Sequence, residues 1–457
     1  MHEASNIWVW IVGIPFSFFL AILLLINANA GLLFYVVAMP ALQPLMRITM
    51  AIPGSAATVA LGGPLQTMIL LAGIWTVMSS KVRLLKMPAV PVFLALWLIM
   101  GISIIAAPGN AGMMNIGALA QYIPRTTDYV SSIKEWNRIG SFIFIYILAG
   151  LTLKGEKGIL RFVKVLFLSL PIPLALGIYQ AVFHAGFLAD VASREHYNRI
   201  TGTFGNPVEF ASYLTFPLLL CITMAMDRKL RQERRLVLAC SVILLSCFLF
   251  FTYTRSAWFG VMAGIIVIGL KRNKGVLLAV PLLLALALLV VPLESVRLGE
   301  FNTGRLTFSG RIGAWSIMLP LVKDHPFLGR GLSNFSAFTQ SDHVRLLLET
   351  GFLGWTVFLC LIWALLKALH RAYRSSQAGI EKNFSLAYLA FFVCILVMGF
   401  SETNALFQYY VWIPAGIVLS KSIRGSLKPV DVTTSPQRFK GGSFGPLRGY
   451  TVAKRAD

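Results

Sequence analysis

Charge is what this sequence has least of. Only 13% of its 457 residues are Asp, Glu, Lys or Arg, where a soluble domain carries about a quarter. Hydrophobic residues make up 57%. Apolar runs of about 20 residues recur along the chain, each long enough to cross a hydrocarbon core of about 30 Å. An ordinary soluble domain is therefore excluded. The alternating ten-residue patterns of a transmembrane β-barrel are also missing. The fold class expected is an all-α polytopic membrane helix bundle.

Other scarcities narrow the function. Acidic residues number 18 against 40 Lys and Arg, a net charge of +22. In a soluble protein that balance would suggest nucleic acid. Here the basic residues cluster in short loops and set topology, so nucleic acid is not an expected partner. The five cysteines, Cys221, Cys240, Cys247, Cys360 and Cys394, all fall inside expected spans and read as small buried apolar residues. They form neither a disulfide framework nor a metal-ligand spacing, and no metal or other cofactor is expected. Ionisable residues are nearly absent from mid-span positions, which argues against a proton- or sodium-coupled carrier. The opening MHEASNIWVW lacks a basic n-region and reads as a retained first span.

What is present is a series of about 12 spans (11–13). They are placed near 8–26, 31–47, 62–79, 88–106, 137–153, 159–183, 208–226, 236–253, 257–270, 275–292, 350–369, 384–400 and 408–420. The first two are the weakest, because Asn27-Ala28-Asn29 is able to break one element. Basic residues mark alternate loops: Lys81, Arg83 and Lys86; Lys154 and Lys157; Arg228–Arg235; Lys271, Arg272 and Lys274; Arg371, Arg374 and Lys382. By the positive-inside rule that side is cytoplasmic. The organisation expected is a first bundle segment at 1–292, a large extracytoplasmic (periplasmic) loop at 293–349, a last bundle segment at 350–420, and a basic, disordered cytoplasmic tail at 421–457. That tail is suited to touching anionic lipid.

The loops opposite break the rule. They hold Arg125, Arg194, Arg199, Arg255, Arg297, Arg305, Arg311, Arg330 and Arg345, against only Lys134 and Lys323. A guanidinium fork matches phosphate oxygens in a bidentate way that an ammonium does not. A few converging arginines would hold a diphosphate and steady the charge it gains as a leaving group. For any one arginine, interfacial snorkelling or an ordinary salt bridge is the competing reading. Arg255 is the sharpest, because Tyr253-Thr254-Arg255-Ser256 lies between two apolar spans with almost no loop.

Local patterns frame this region. Asn206-Pro207-Val208-Glu209 reads as a helix start: Asn caps, Pro takes the first turn, and Glu is placed to reach back. Ser309 begins a helix reaching Asp324-His325-Pro326, with Ile312, Trp315, Leu319 and Val322 on one face and Arg311 in the first turn. That is the pattern of an amphipathic interfacial helix. A further helix starts at Ser341 and carries Asp342, His343, Arg345 and Glu349 towards the span near Gly351.

The stretches TGTFGNPVEFASYL, TYTRSAWFG, SGRIGAW, HPFLGRGLSNF and SDHVRLLLETGFLG resemble the O-antigen ligase and polymerase superfamily of bacterial integral membrane glycosyltransferases. The resemblance covers roughly 200–365; elsewhere it is one of hydropathy. It implies a multi-pass protein of the bacterial inner membrane. Such proteins take a glycan from a polyprenyl-diphosphate carrier at the outer face, by metal-independent transfer with inversion. Ligases in the family carry a His, then Asn, Ser or Gln, nine residues, and Gly-x-x-Gly. Anchoring on Gly351 and Gly354 puts Gln340 at the position of that His, followed by Ser341. An amide is no general base. The departure points to the polymerase type, which joins carrier-linked oligosaccharide units into O-antigen or exopolysaccharide.

By the resemblance, Arg255 and Arg311 bind the diphosphate; Arg199 and Arg345 are further candidates. His343 is the first choice of base, followed by Asp342 and Glu349. The partners implied are the carrier-linked glycan, a glycan or lipid-linked acceptor, membrane lipids and a chain-length regulator. Two alternatives stay open: a ligase delivering the glycan to a lipid A-core acceptor, and a transporter of a lipid-linked sugar or anion.

Overall fold

The computed structural model describes residues 14–46, 49–51, 58–60, 62–79, 84–106, 129–183, 199–227, 229–278, 280–281, 308–333, 335, 339–403 and 405–424. Helices dominate. In chain order they are α1 (Ile14–Ile26), α2 (Ala28–Met46), α3 (Gly62–Ser79), α4 (Val90–Ile105), α5 (Tyr129–Thr152), α6 (Gly155–Leu168), α7 (Pro171–Phe183) and α8 (Pro207–Ala225). There follow α9 (Gln232–Phe251), α10 (Arg255–Lys271), α11 (Phe308–Met318), α12 (Asp342–Ser375), α13 (Ile380–Gly399), α14 (Tyr409–Val418) and α15 (Ser420–Arg424). A small antiparallel hairpin, Thr49–Ala51 with Thr58–Ala60, supplies the strands among the described residues.

Five described stretches are long and apolar enough to cross a membrane: Gly155–Phe183, Pro207–Ala225, Gln232–Phe251, Asp342–Ser375 and Ile380–Gly399. Large apolar side chains such as Trp75, Met78, Ile105, Leu236, Val237 and Trp363 face outward. In water such a surface would be an association site; in lipid it is the solvent-facing surface. Inside, glycines let helices approach closely, as they do between membrane helices. A Cβ on Gly260 would lie 2.7 Å from the Cys394 sulfur, and one on Gly264 would lie 2.9 Å from Leu219. These two positions bring α10 against α13 and α8.

Several expectations need correction. The expected span near 159–183 falls in one apolar stretch, Gly155–Phe183, but that stretch is interrupted between α6 and α7, where Pro171 cannot donate to the preceding turn. Asn27, by contrast, separates α1 from α2 as expected, and its side chain accepts from Ala30 N (3.1 Å). Of the cysteines, Cys221 and Cys394 are buried, but Cys240, Cys247 and Cys360 face outward. The amphipathic helix buries a different face as well. Trp315, Met318 and Val322 pack with Phe335 and Leu348, whereas Ile312 and Leu319 are exposed. Past Met318 the chain tightens into a 3₁₀ turn, Leu319–Lys323, which rotates side chains further per residue than an α-helix does. The expected span near 275–292 and the 421–457 tail lie largely outside the described residues.

The break inside α12 explains two of the motifs. Gly351 has φ 66° and ψ −170°, a conformation open essentially only to glycine. It divides α12 into a short helix at 342–350 and the apolar helix beyond. Such a break leaves carbonyls unsatisfied on one side and N–H groups on the other. The HPFLGRG segment answers both. Arg330 N and Gly331 N donate to Leu348 O (2.9 Å) and Glu349 O (3.1 Å). Phe352 N and Leu353 N donate to Pro326 O (2.7 Å) and Phe327 O (3.3 Å). The fit is tight enough that a Cβ on Gly351 would lie 2.4 Å from the Phe327 carbonyl carbon.

Candidate functional site at one end of the bundle

The turn between α9 and α10 is so short that Tyr253 is forced to φ 48°, a costly conformation for a bulky residue. Arg199 holds this turn. Its Nε donates to Thr252 O (2.8 Å) and its Nη2 to Thr254 Oγ1 (3.1 Å). Thr254 reaches Pro207 O (3.3 Å) at the start of α8, where Asn206 caps by accepting from Val208 N (2.8 Å). Arg255 is exposed on the first turn of α10, where the helix N-terminus adds its own attraction for an anion. Next to it, Ser256 Oγ donates to Glu402 Oε1 (3.0 Å).

The 399–407 segment that carries Glu402 also receives the start of α12. Ser341 caps this helix, accepting from Val344 N (3.5 Å), and its hydroxyl meets Gly399 O (3.5 Å). Asp342 is buried and accepts from Leu406 N (3.3 Å). His343 stacks on Phe400 with ring centroids 4.4 Å apart and meets the edge of Phe358 at 5.5 Å. It is half-buried against these two phenyl rings, and an imidazole in its neutral form is what a general base needs. Gln340, just before the cap, sits at φ 43°. With Tyr253 and Ser333 (φ 71°) it puts three left-handed non-glycine residues at this end of the bundle. Strained backbone tends to gather at functional sites.

Behind this surface lies a line of four charges, half-buried at Arg138 and Glu135 and fully buried at Arg345 and Glu349. Arg138 donates to Glu135 through Nε (2.7 Å) and Nη2 (2.5 Å), and through Nη1 to Phe407 O (2.8 Å). Arg345 Nη2 reaches Glu135 Oε1 (2.9 Å), and its Nε reaches Glu349 Oε2 (3.0 Å). Glu349 also accepts from Phe335 N (3.1 Å). Arg345 is 1% exposed and Glu349 0%. Two cations and two anions cancel, which makes such deep burial tolerable. Burial alone would raise the Glu135 carboxyl, but the Arg138 and Arg345 guanidiniums outweigh it and hold it down at about 2.

The arrangement brings together Arg199, Arg255 and His343, with Asp342 beside the last. Arg345 and Glu349 lie beneath them, bonded to each other. Arg311 stands on α11 one turn before Trp315, whose indole donates to Thr339 O (2.7 Å) next to Gln340. The Arg311 side chain is outside the described residues. Arg330 is buried and paired with Asp324. Arg125, Arg194, Arg297 and Arg305 lie outside the described residues.

The family model described as O-antigen ligase matches residues 240–359. Residues 240–359 are thus similar to that family. The match covers about a quarter of the sequence and supports the resemblance to the O-antigen ligase/polymerase superfamily. No curated protein matches it. The matched stretch contains Arg255, Arg311, Gln340, His343, Arg345 and Glu349. The residues that complete the same end, Glu135, Arg138, Arg199 and Glu402, come from outside it. Sequence reading passed over Glu135 and Arg138. The available signal was an opposite-charge pair three residues apart at the entrance of an apolar helix.

Proposed function

We propose that this protein joins polyprenyl-diphosphate-linked oligosaccharide units into a polymer at the outer face of the bacterial inner membrane. The observation that carries the reading is local. The segment at 399–407 holds both halves of the matched stretch's polar equipment, Ser256 beside Arg255 through Glu402 and His343 through Phe400. In this reading the bundle crosses the membrane about 12 times, with the site end extracytoplasmic and the basic end cytoplasmic.

Arg255 and Arg311 grip the diphosphate, and Arg199 holds the turn that presents Arg255. An acceptor sugar hydroxyl attacks the anomeric carbon. The bond from that carbon to the diphosphate oxygen breaks, and its electron pair leaves on the diphosphate, steadied by the guanidiniums. His343 takes the hydroxyl proton, with Asp342 the next candidate. Arg345 and Glu349 serve by fixing the helix that carries His343, since each already answers the other's charge. Attack from the face opposite the leaving group inverts the anomeric centre.

Arg311→Lys keeps the charge and loses the fork. It should abolish polymer while the protein still accumulates in the membrane. Polymer of normal length in an Arg311→Ala strain would contradict the reading. In a deletion strain, persistence of carrier-linked polymer with loss of glycan on the lipid core would indicate a ligase instead.

A further inference from the structure

At the basic end, three cations gather around one aromatic ring. The ring is Tyr373, near the end of α12. Its hydroxyl donates to Lys271 O (3.4 Å), tying the end of α12 to the end of α10. The Lys382 ammonium, on the first turn of α13, lies 5.6 Å from the centre of the same ring, within cation–π range. Lys271 and Arg374 both lie within electrostatic reach of His370, one turn before Tyr373. Three helices thus bring Lys271, Arg374 and Lys382 together, and all three side chains are exposed.

Other charges at this end already have partners. Arg272 is bonded to Thr223 and Asn383, Asp227 accepts from Asn383, and Lys421 pairs with Glu381 (2.5 Å). Among the described residues, Lys271, Arg374 and Lys382 pair with no carboxylate. Like charges held close repel one another. An anion set between them replaces that repulsion with charge-assisted hydrogen bonds.

The surroundings say which anion. Leu270 precedes Lys271, and Trp363 lies two turns inward from His370; both are exposed. The Lys367 ammonium rests 4.6 Å from the centre of the Trp363 ring. A lysine drawn over an outward tryptophan is the pattern of a membrane–water boundary. A phosphate between the three cations would lie at headgroup depth, with apolar surface on its inward side for acyl chains. Free phosphate would use only the charged half of that surface.

We infer that Lys271, Arg374 and Lys382 bind the headgroup phosphate of an anionic glycerophospholipid in the leaflet at the basic end. The inference stands apart from the glycan-transfer reading and from the diphosphate site at the opposite end.

The test titrates the full-length protein in neutral detergent with phosphatidylglycerol, phosphatidylcholine or inorganic phosphate. Thermal unfolding and native mass spectrometry report binding. Phosphatidylglycerol should stabilise wild type, and the other two should do so far less. Lys271→Gln together with Arg374→Gln should bind phosphatidylglycerol about 25-fold more weakly, at about fivefold per charge. Removing two charges elsewhere at this end, by Lys154→Gln with Lys157→Gln, should leave that affinity unchanged. Lys271→Arg with Arg374→Lys keeps both charges and should bind as wild type does. Full affinity in the Lys271/Arg374 glutamine pair overturns the site. An equal loss in the Lys154/Lys157 pair also overturns it, since diffuse charge would then suffice. Stabilisation by inorganic phosphate equal to that by phosphatidylglycerol overturns the lipid as occupant. A charge-swapped protein as weak as the glutamine pair overturns it too, because damage to the fold would then account for the loss.

Discussion

The two ends of the bundle use the same residue types in opposite ways. At the basic end, Arg272 Nη1 donates to Thr223 O (2.9 Å) and Asn383 Oδ1 (2.6 Å), and Asn383 Nδ2 donates to Asp227 Oδ2 (2.7 Å). This fastens α8, α10 and α13 with one neutral amide between two charges. Lys229, Arg231, Arg371 and Arg374 there are exposed. Asp227 sits near the surface. Burial pushes its carboxyl up slightly, and the bonds from Lys229 N and Asn383 outweigh this and lower it. At the site end, by contrast, Arg345 and Glu349 are fully enclosed, and the backbone is left-handed at Tyr253, Ser333 and Gln340. One end anchors the protein with solvated charge. The other invests buried charge in holding a surface to one geometry, and carries three of the four left-handed non-glycine residues among the described residues, Ala89 being the fourth.

Substitutions at matched positions would break or sharpen that contrast. The largest effect is expected from Arg345→Ala, which leaves Glu349 buried without its cation. Loss of one partner of a buried pair costs about 3–5 kcal/mol, and thermal unfolding in detergent measures it. Gly351→Ala comes next. The left-handed conformation alone costs about 1–3 kcal/mol, and the Cβ would also press on the Phe327 carbonyl. Its signature should be early proteolysis within 326–353. Asn383→Ala, the matching cut at the basic end, removes hydrogen bonds to two charged groups and should cost about 1.5–3 kcal/mol with transfer activity intact. A matching loss of transfer would show that the ends are not separable. The smallest effect is expected from Asn206→Ala, loss of one helix cap, at about 1 kcal/mol by the same unfolding assay.

The sequence carried the helices well, because twenty-residue apolar runs and their caps are local signals. Asn206 and Ser341 stand where their side chains cap α8 and α12. The pairing of Arg345 with Glu135 was not legible, since 210 positions separate them and nothing local says whether an outer arginine meets a phosphate or a carboxylate. The face of α11 was misjudged because a continuous 3.6-residue period was assumed through Leu319–Lys323, where the helix tightens. The Gly-x-x-Gly motif was visible as a pattern. That Gly351 breaks a helix whose loose ends are taken up by HPFLGRG required the backbone.

The central claim is that the arginines at the site end, and not basic residues in general, hold a diphosphate. Binding of polyprenyl diphosphate to the detergent-purified protein tests it, comparing Arg255→Ala with Arg371→Ala at the basic end. One charge-assisted contact corresponds to about a tenfold to hundredfold change in affinity. Arg255→Ala should weaken binding by that amount while Arg371→Ala binds as wild type does. Equal affinities in the two variants would contradict the account.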